Sequence, residues 1–261
     1  MKSNKWKFLL TGAATLTLLT ACTQASSQSA TKSNTAQTTA TSTSKNKTNN
    51  SNYFTDKDKD TSYDESKAST VKLSGSSASV SGDGIAVSGS TVTISKAGTY
   101  VISGESDGVQ IKVEAGDSDD VHIVLKGVTM TNTNAPISAT KAGHVYLTLA
   151  DGTTNTLSDS SSNNDEDADA VIFSKGDLTI NGSGTLNIDA KKNNGIKAND
   201  TLHITGGTYK ITAVGDAFNV NDELNITGTT MTIDADEDAV KVDNDEDTSV
   251  GTMYLSDNTM T

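Results

Sequence analysis

Acidic side chains in a repeating pattern are the first feature of this 261-residue sequence that could do chemistry. Asp169, Asn194, Asp216 and Asp238 each stand two residues before an apolar Val171, Ile196, Phe218 or Val240, and the residue between is always small. Repeated at this interval in a stacked structure, they form a column on one edge. Like charges stacked at about 5 Å repel, and a divalent cation relieves the repulsion. Calcium accepts roughly six to eight oxygen ligands in flexible geometry, so it is the expected ion. Two denser clusters reinforce the pattern. Asp165, Glu166, Asp167 and Asp169 lie in a long insertion before Val171, and Asp234 to Asp247 contains eight carboxylates. Neither is an EF-hand. In the loop starting at Asp243, Thr248 replaces the required glycine and Tyr254 stands where the bidentate Glu belongs. The candidate ligands are Asp169, Asp216, Asp236, Asp238 and Asp243, and solvated acidic loops are the alternative reading.

Other reactive side chains are sparse. Lys197 and Lys241 follow Asn194 and Asp238 by three residues, with Asn219 between them in the pattern. They are outward cations beside the acid row, and a solvated face of alternating Lys and acid is the plain reading of the pair. His122 and His203 fall at outward positions between apolar neighbours, and His144 abuts a strand start. With no common row, these three are expected to be exposed surface histidines. The formal charge is −13, the pI is about 4.5, and there is no Arg. Without a basic patch, nucleic-acid binding is excluded. A single Cys excludes an internal disulfide and a multi-cysteine zinc site. The only Trp is Trp6, so no tryptophan sugar platform exists beyond the first dozen residues.

Short alternating stretches must position these groups. Leu178-Thr179-Ile180 matches Leu202-His203-Ile204 and Leu224-Asn225-Ile226, each followed by a glycine turn. A second strand follows at Leu186-Asn187-Ile188, Tyr209-Lys210-Ile211 and Met231-Thr232-Ile233. A third follows at Ile196-Lys197-Ala198, Phe218-Asn219-Val220 and Val240-Lys241-Val242. First-strand starts fall at Val92, Val121, Val145, Leu178, Leu202, Leu224 and Met253. Three strands in a period of about two dozen residues describe one coil of a parallel β-helix. The expected fold is therefore all-β: a right-handed parallel β-helix of about seven coils over 69–261. A β-sandwich needs no such fixed order of strands and turns. Expected inward ladders are Leu178–Leu202–Leu224–Met253, Ile188–Ile211–Ile233 and Val171–Ile196–Phe218–Val240, with Tyr209 in the core. Expected outward rows are Thr185–Thr208–Thr230–Thr259 and Ser174–Asn199–Asn221–Asp243. The chain stops inside a coil, so further coils are expected past Thr261.

The N-terminal segment carries an address. Lys2, Lys5 and Lys7 precede a short apolar run, Phe8 to Leu19, and then Leu19-Thr20-Ala21-Cys22. This is the lipobox pattern, with 1–21 as the signal peptide and Cys22 as the lipidated first residue of an extracytoplasmic protein held on the cell membrane. Residues 22–68 are rich in Ser, Thr, Asn and Lys and lack hydrophobic periodicity, so they are expected to be a disordered tether.

From Ser174 to Val242 the chain, with its Lys-Gly-Asp-Leu-Thr-Ile-Asn-Gly-Ser-Gly-Thr-Leu-Asn-Ile opening and later Gly-Gly-Thr-Tyr and Gly-Asp-Ala units, resembles the bacterial carbohydrate-binding β-helix family, which is similar in fold to pectate lyases. The resemblance spans about residues 70–261. It implies a surface-anchored, calcium-binding domain that holds polysaccharide, with calcium ligands among the Asp169, Asp216 and Asp238 row. The expected function is binding of a cell-wall or plant-type polysaccharide without catalysis, with Lys197 and Lys241 as the candidate sugar contacts. The alternatives are a calcium-dependent polysaccharide lyase, in which the likeness to pectate lyases would make Lys197 or Lys241 the group that removes a proton beside a uronate carboxylate, and a passive stalk or adhesin.

Overall fold

A computed structural model describes residues 53–244 and 246–261. Cys22, the signal segment and the tether up to residue 52 lie outside the described residues.

The described chain is all-β apart from one 3₁₀ turn at Lys57–Lys59, and its strands form one sheet of 14 and one of 8. Three strand rows run through it. The first face stacks His144–Leu149, Leu178–Gly182, Thr201–Thr205, Glu223–Thr227 and Thr252–Ser256. The second stacks Thr154–Ser158, Thr185–Ala190, Thr208–Ala213, Thr230–Ala235 and Thr259–Met260. The third stacks Ile137–Lys141, Ala170–Ser174, Asn194–Ala198, Phe218–Val220 and Lys241–Val242. Every one of these pairings is parallel. The long strands Gly98–Asp107 and Asp120–Thr131 run continuously through the first and second faces and join them into one sheet. At the N-terminal end two antiparallel pairs close the stack: Ser69–Gly75 with Ser77–Ser81, and Ile85–Ser88 with Thr91–Ile94.

Alternation drives the packing. In Thr208–Ala213 the inward Tyr209, Ile211 and Ala213 are buried and the residues between them are exposed. Because one coil cannot cover its own apolar row, each inward side chain sits on the equivalent one in the next coil. Turn backbones repeat too. Gly182 and Gly206 both have positive φ at the corner after the first face, where a side chain would be strained.

The ladders Leu178–Leu202–Leu224–Met253 and Ile188–Ile211–Ile233 stand in register, as does the outward Thr185–Thr208–Thr230–Thr259 row. Tyr209 is 1% exposed in the core. Four expectations are corrected. Val92 pairs with Ile111 on the third row, and the residue opposite Val121 is Gly98. Ile172, not Val171, stands above Ile196. Ala170 therefore aligns with Asn194, so Asp169 is one place out of its expected row, and Ser174 aligns with Ala198. Residues 53–68, assigned to the tether, are folded onto the first face. The slip arises because Ala170–Ser174 is buried on both sides, so its apolar run carries no alternation to fix the register.

Candidate functional site

The outward side of the first face is built from two columns. One runs Thr99, His122, Tyr146, Thr179, His203, Asn225 and Tyr254; the other runs Val101, Val124, Thr148, Asn181, Thr205 and Thr227. Residues 53–68 form a strap that crosses these columns from the coil of Tyr254 towards Ser69, which opens the first strand beside Tyr100. Tyr53 stacks on Tyr254 with ring centroids 3.8 Å apart. Phe54 is 5% exposed and meets His203 edge-on at 5.5 Å.

Asp58, 1% exposed, is the strap's main anchor. Its carboxylate accepts hydrogen bonds from Thr179 Oγ1 at 2.6 Å and from Thr55 N and Oγ1 at 2.7 and 2.8 Å. Asn181 Nδ2 donates to the carbonyls of Asp58 and Asp60, both at 3.1 Å, and Thr205 Oγ1 donates to Asp58 O at 2.7 Å. His203 Nδ1 lies 3.2 Å from Asp58 Oδ2 but off the line a hydrogen bond requires, so the contact is one of charge. Burial would raise the Asp58 pKa, but His203 and the Thr179 and Thr55 hydrogen bonds hold it well below the usual carboxylate range. Burial likewise opposes the charge on His203, yet Asp58 and Glu223 lift its pKa above the ordinary value.

The other two histidines are half-buried and take the opposite shift. Burial pushes the pKa of both His122 and His144 down. Their tautomers follow from their partners. The Thr148 hydroxyl donates to Asn181 Oδ1 at 2.6 Å, so His122 Nε2, 2.8 Å away, must donate to Thr148. The Thr179 hydroxyl donates to Asp58, so His144 Nε2, at 2.9 Å, donates to Thr179. Both chains of bonds end on the strap. The expectation of three unrelated, exposed histidines is thus corrected. His122 and His203 share one column, and His144 stacks on Tyr146 from the adjacent position at 4.1 Å.

Two shallow recesses flank the strap. One, of about 220 Å³, is lined by Lys57, Asp60, Thr99, Asp120, His122 and Tyr146 among others. Lys57 pairs with Asp120 and sits 4.5 Å over the Tyr146 ring, whose phenol pKa is raised to about 12 chiefly by burial. The second recess, of about 270 Å³, lies against Thr61, Tyr63, Lys126, Asp151, Thr153 and Ser183. Both are smaller than pockets that enclose drug-sized ligands, roughly 300–1,000 Å³. No strap residue stood among the sequence candidates. The available signal was Phe54 beside Asp58 in an otherwise polar stretch, too isolated to show periodicity.

The sequence-chosen acids lie elsewhere, at the entry to the third face. Asp169 accepts from Lys197 Nζ at 2.7 Å and from Asn193 Nδ2 at 2.5 Å. Asp216, 2% exposed, accepts from Asn219 Nδ2 at 2.6 Å and from the backbone N–H of Asp238 at 3.0 Å. Asn194 makes the same side-chain-to-backbone bond to Asp216 N at 3.1 Å. This column is a polar spine that binds each coil to the next, and Asp169 and Asp216 have their oxygens engaged within it. Asp236, Asp238 and Asp243 are exposed, and no described residue donates to their carboxylates. They retain free oxygens that suit a hard cation. Among the described residues, no three His, Cys, Asp or Glu side chains already form a metal cluster. Lys197, Asn219 and Lys241 share one outward column as expected, with Lys197 held by Asp169.

The fold is thus a stack of parallel strands whose first outer face is crossed by the strap. A family model described as "Carbohydrate-binding domain-containing protein" matches residues 88–261, and the chain belongs to that family. A curated protein of Acetivibrio thermocellus with the same description is 38% identical over 128 residues. That match covers 47% of this chain and 45% of the relative, so the chain spans about half the relative's length. A solved polysaccharide lyase-like protein from C. thermocellum, a gadolinium derivative, is similar at 34% identity and a TM-score of 0.71. The similarity covers 74% of this chain and 81% of that one.

Proposed function

We propose that this protein binds polysaccharide on the strap-crossed first face, without turnover. In this reading it is a lipoprotein anchored at Cys22, exposed towards or through the cell wall, and wound as a right-handed β-helix of about seven coils. The observation that carries the reading is the carbohydrate-binding family match over the coils, whose outer face holds two recesses of mixed polar and apolar lining. A polar surface with hydroxyls, amides and a few rings exchanges its bound water for sugar hydroxyls at little cost. Calcium enters through Asp236, Asp238 and Asp243. Calcium held there would relieve the repulsion among the crowded carboxylates of the last coils on a protein of charge −13.

The test is a glycan array on the full chain, with calcium and with EDTA, together with ultraviolet absorbance during incubation with polygalacturonate. Binding without an absorbance rise is expected. An unsaturated uronate product would replace the binding reading with a lyase. No retained glycan in either condition would leave a stalk. For the anchor, Cys22→Ala should release the protein from the membrane fraction, and unchanged processing and retention would contradict it.

A further inference from the structure

We propose that the strap, a segment outside the family-matched span, completes the glycan site and sets its preference for a neutral, hydroxyl-rich chain. The inference rests on the polysaccharide-binding reading and adds to it which residues choose the sugar.

The family match begins at residue 88, whereas the strap ends at 68. Yet the strap supplies Lys57, Asp60 and Ser62 to the first recess and Thr61 and Tyr63 to the second. The arch of residues 60–63 therefore lines both, with Asp60 and Ser62 at the first and Thr61 and Tyr63 at the second. Its ends are tied down. Asn181 holds the Asp60 carbonyl, and Lys126 pairs with Glu65 at 2.7 Å. Among the described residues, no hydrogen bond joins Thr61, Ser62 or Tyr63 to the sheet. Ser62 N and Oγ donate to Asp60 Oδ1 at 3.0 and 2.6 Å, which shapes the arch from within. Tyr63 packs on the outward Val101, Val124 and Ala150 and turns an edge to His122. The arch therefore presents a hydroxyl on each side, with a phenol ring beside them. A rigid ring with two rotatable bonds offers a sugar contact area at low entropic cost.

Charge then selects the ligand. Each lysine at the recesses already has a carboxylate, Asp120 for Lys57 and Glu65 for Lys126. Asp60 and Asp151 bring further negative charge, each accepting a hydrogen bond from a serine. Among the described residues, no unpaired cation faces either recess, so a polyuronate meets net repulsion there while a neutral glycan does not.

Affinity electrophoresis of the full chain tests this, with EDTA throughout. Gels carry a soluble β-glucan, a galactomannan, a dextran or polygalacturonate. Retardation is expected in at least one neutral gel and not in polygalacturonate. Ser62→Trp, which fills the first recess from an exposed position, and Tyr63→Ala should each weaken retardation roughly tenfold. Thr208→Trp, on the second face, should leave it unchanged. Melting curves accompany each variant. If Tyr63→Ala lowers the melting temperature, Ser62→Trp decides. Wild-type retardation in a neutral gel with Ser62→Trp retarded equally overturns the strap's role and leaves polysaccharide binding standing. Retardation by polygalacturonate in EDTA overturns the charge selection. Failure of all three neutral gels to retard the wild type overturns this proposal, and the array in calcium then decides separately whether polysaccharide binding stands.

Discussion

The first and second faces are made by the same coils and obey the same inward rule, yet their outer surfaces differ in kind. On the second face Thr208, Lys210, Thr212, Thr230 and Thr232 stand exposed. On the first, Tyr146, Thr148, Thr179, Asn181 and Asn225 are buried, with His203 half-buried beside them. The difference comes from a segment more than a hundred residues away in sequence, as the Asp58–Thr179 and Tyr53–Asn225 hydrogen bonds show. An inward position is decided by its own coil and the two beside it. An outward position is decided by whatever else in the chain comes to lie on it.

The largest test of this contrast removes the strap's buried charge. Asp58→Ala should destabilise the domain by about 4 kcal/mol, since it leaves His203 and Thr179 without their partner. Chemical denaturation measures it, and a loss under 1 kcal/mol would mean the strap is only draped over the face. Phe54→Ala should cost about 3 kcal/mol as a truncated buried ring. If calcium binds the exposed acids of the last coils, it should stabilise the fold by about 2.7 kcal/mol at a hundredfold excess over Kd. Melting curves in calcium and in EDTA should then differ, and should coincide in Asp236→Asn/Asp238→Asn/Asp243→Asn. Identical wild-type curves would leave these acids as solvated loops.

The pH profile should be smaller in effect but specific in shape. The pKa of His203 is raised by folding, so its contribution is full below roughly pH 6.5 and is lost as pH rises through the folded value. The pKa values of His122 and His144 are lowered, so stability falls as pH drops from about 6.5 towards their folded values. Asp58, depressed, adds a further loss only in strong acid. The melting temperature should therefore peak near pH 6.5, and His203→Gln should flatten the alkaline side alone. On the bare face Thr208→Ala should change stability by less than about 0.5 kcal/mol.

What was legible in the sequence follows the same division. The Leu178 and Ile188 ladders could be read directly, because strict alternation fixes both face and register. Register was misread where alternation fails. Phe173 is outward but buried with Ala135 and Ala168, so Ala170–Ser174 reads as a continuous apolar run. Val92 was misplaced because the N-terminal hairpins break the three-strand order. The acid column was visible as a pattern, but its hydrogen bonds to the next coil's backbone were not, since they depend on turn geometry. The strap was hidden by composition. A segment whose apolar content is one Phe, two Tyr and one Ala has no period, and its order comes from the face it covers.

Hydrogen exchange of the full chain with and without a retained glycan tests the central claim most directly. Bound glycan should slow exchange in residues 60–63, 98–101, 120–126 and 146–151, and leave 208–213 and 230–235 unchanged. Protection confined to the second face, or to the third-face column of Lys197, Asn219 and Lys241, would contradict the assignment of the site to the strap-crossed face.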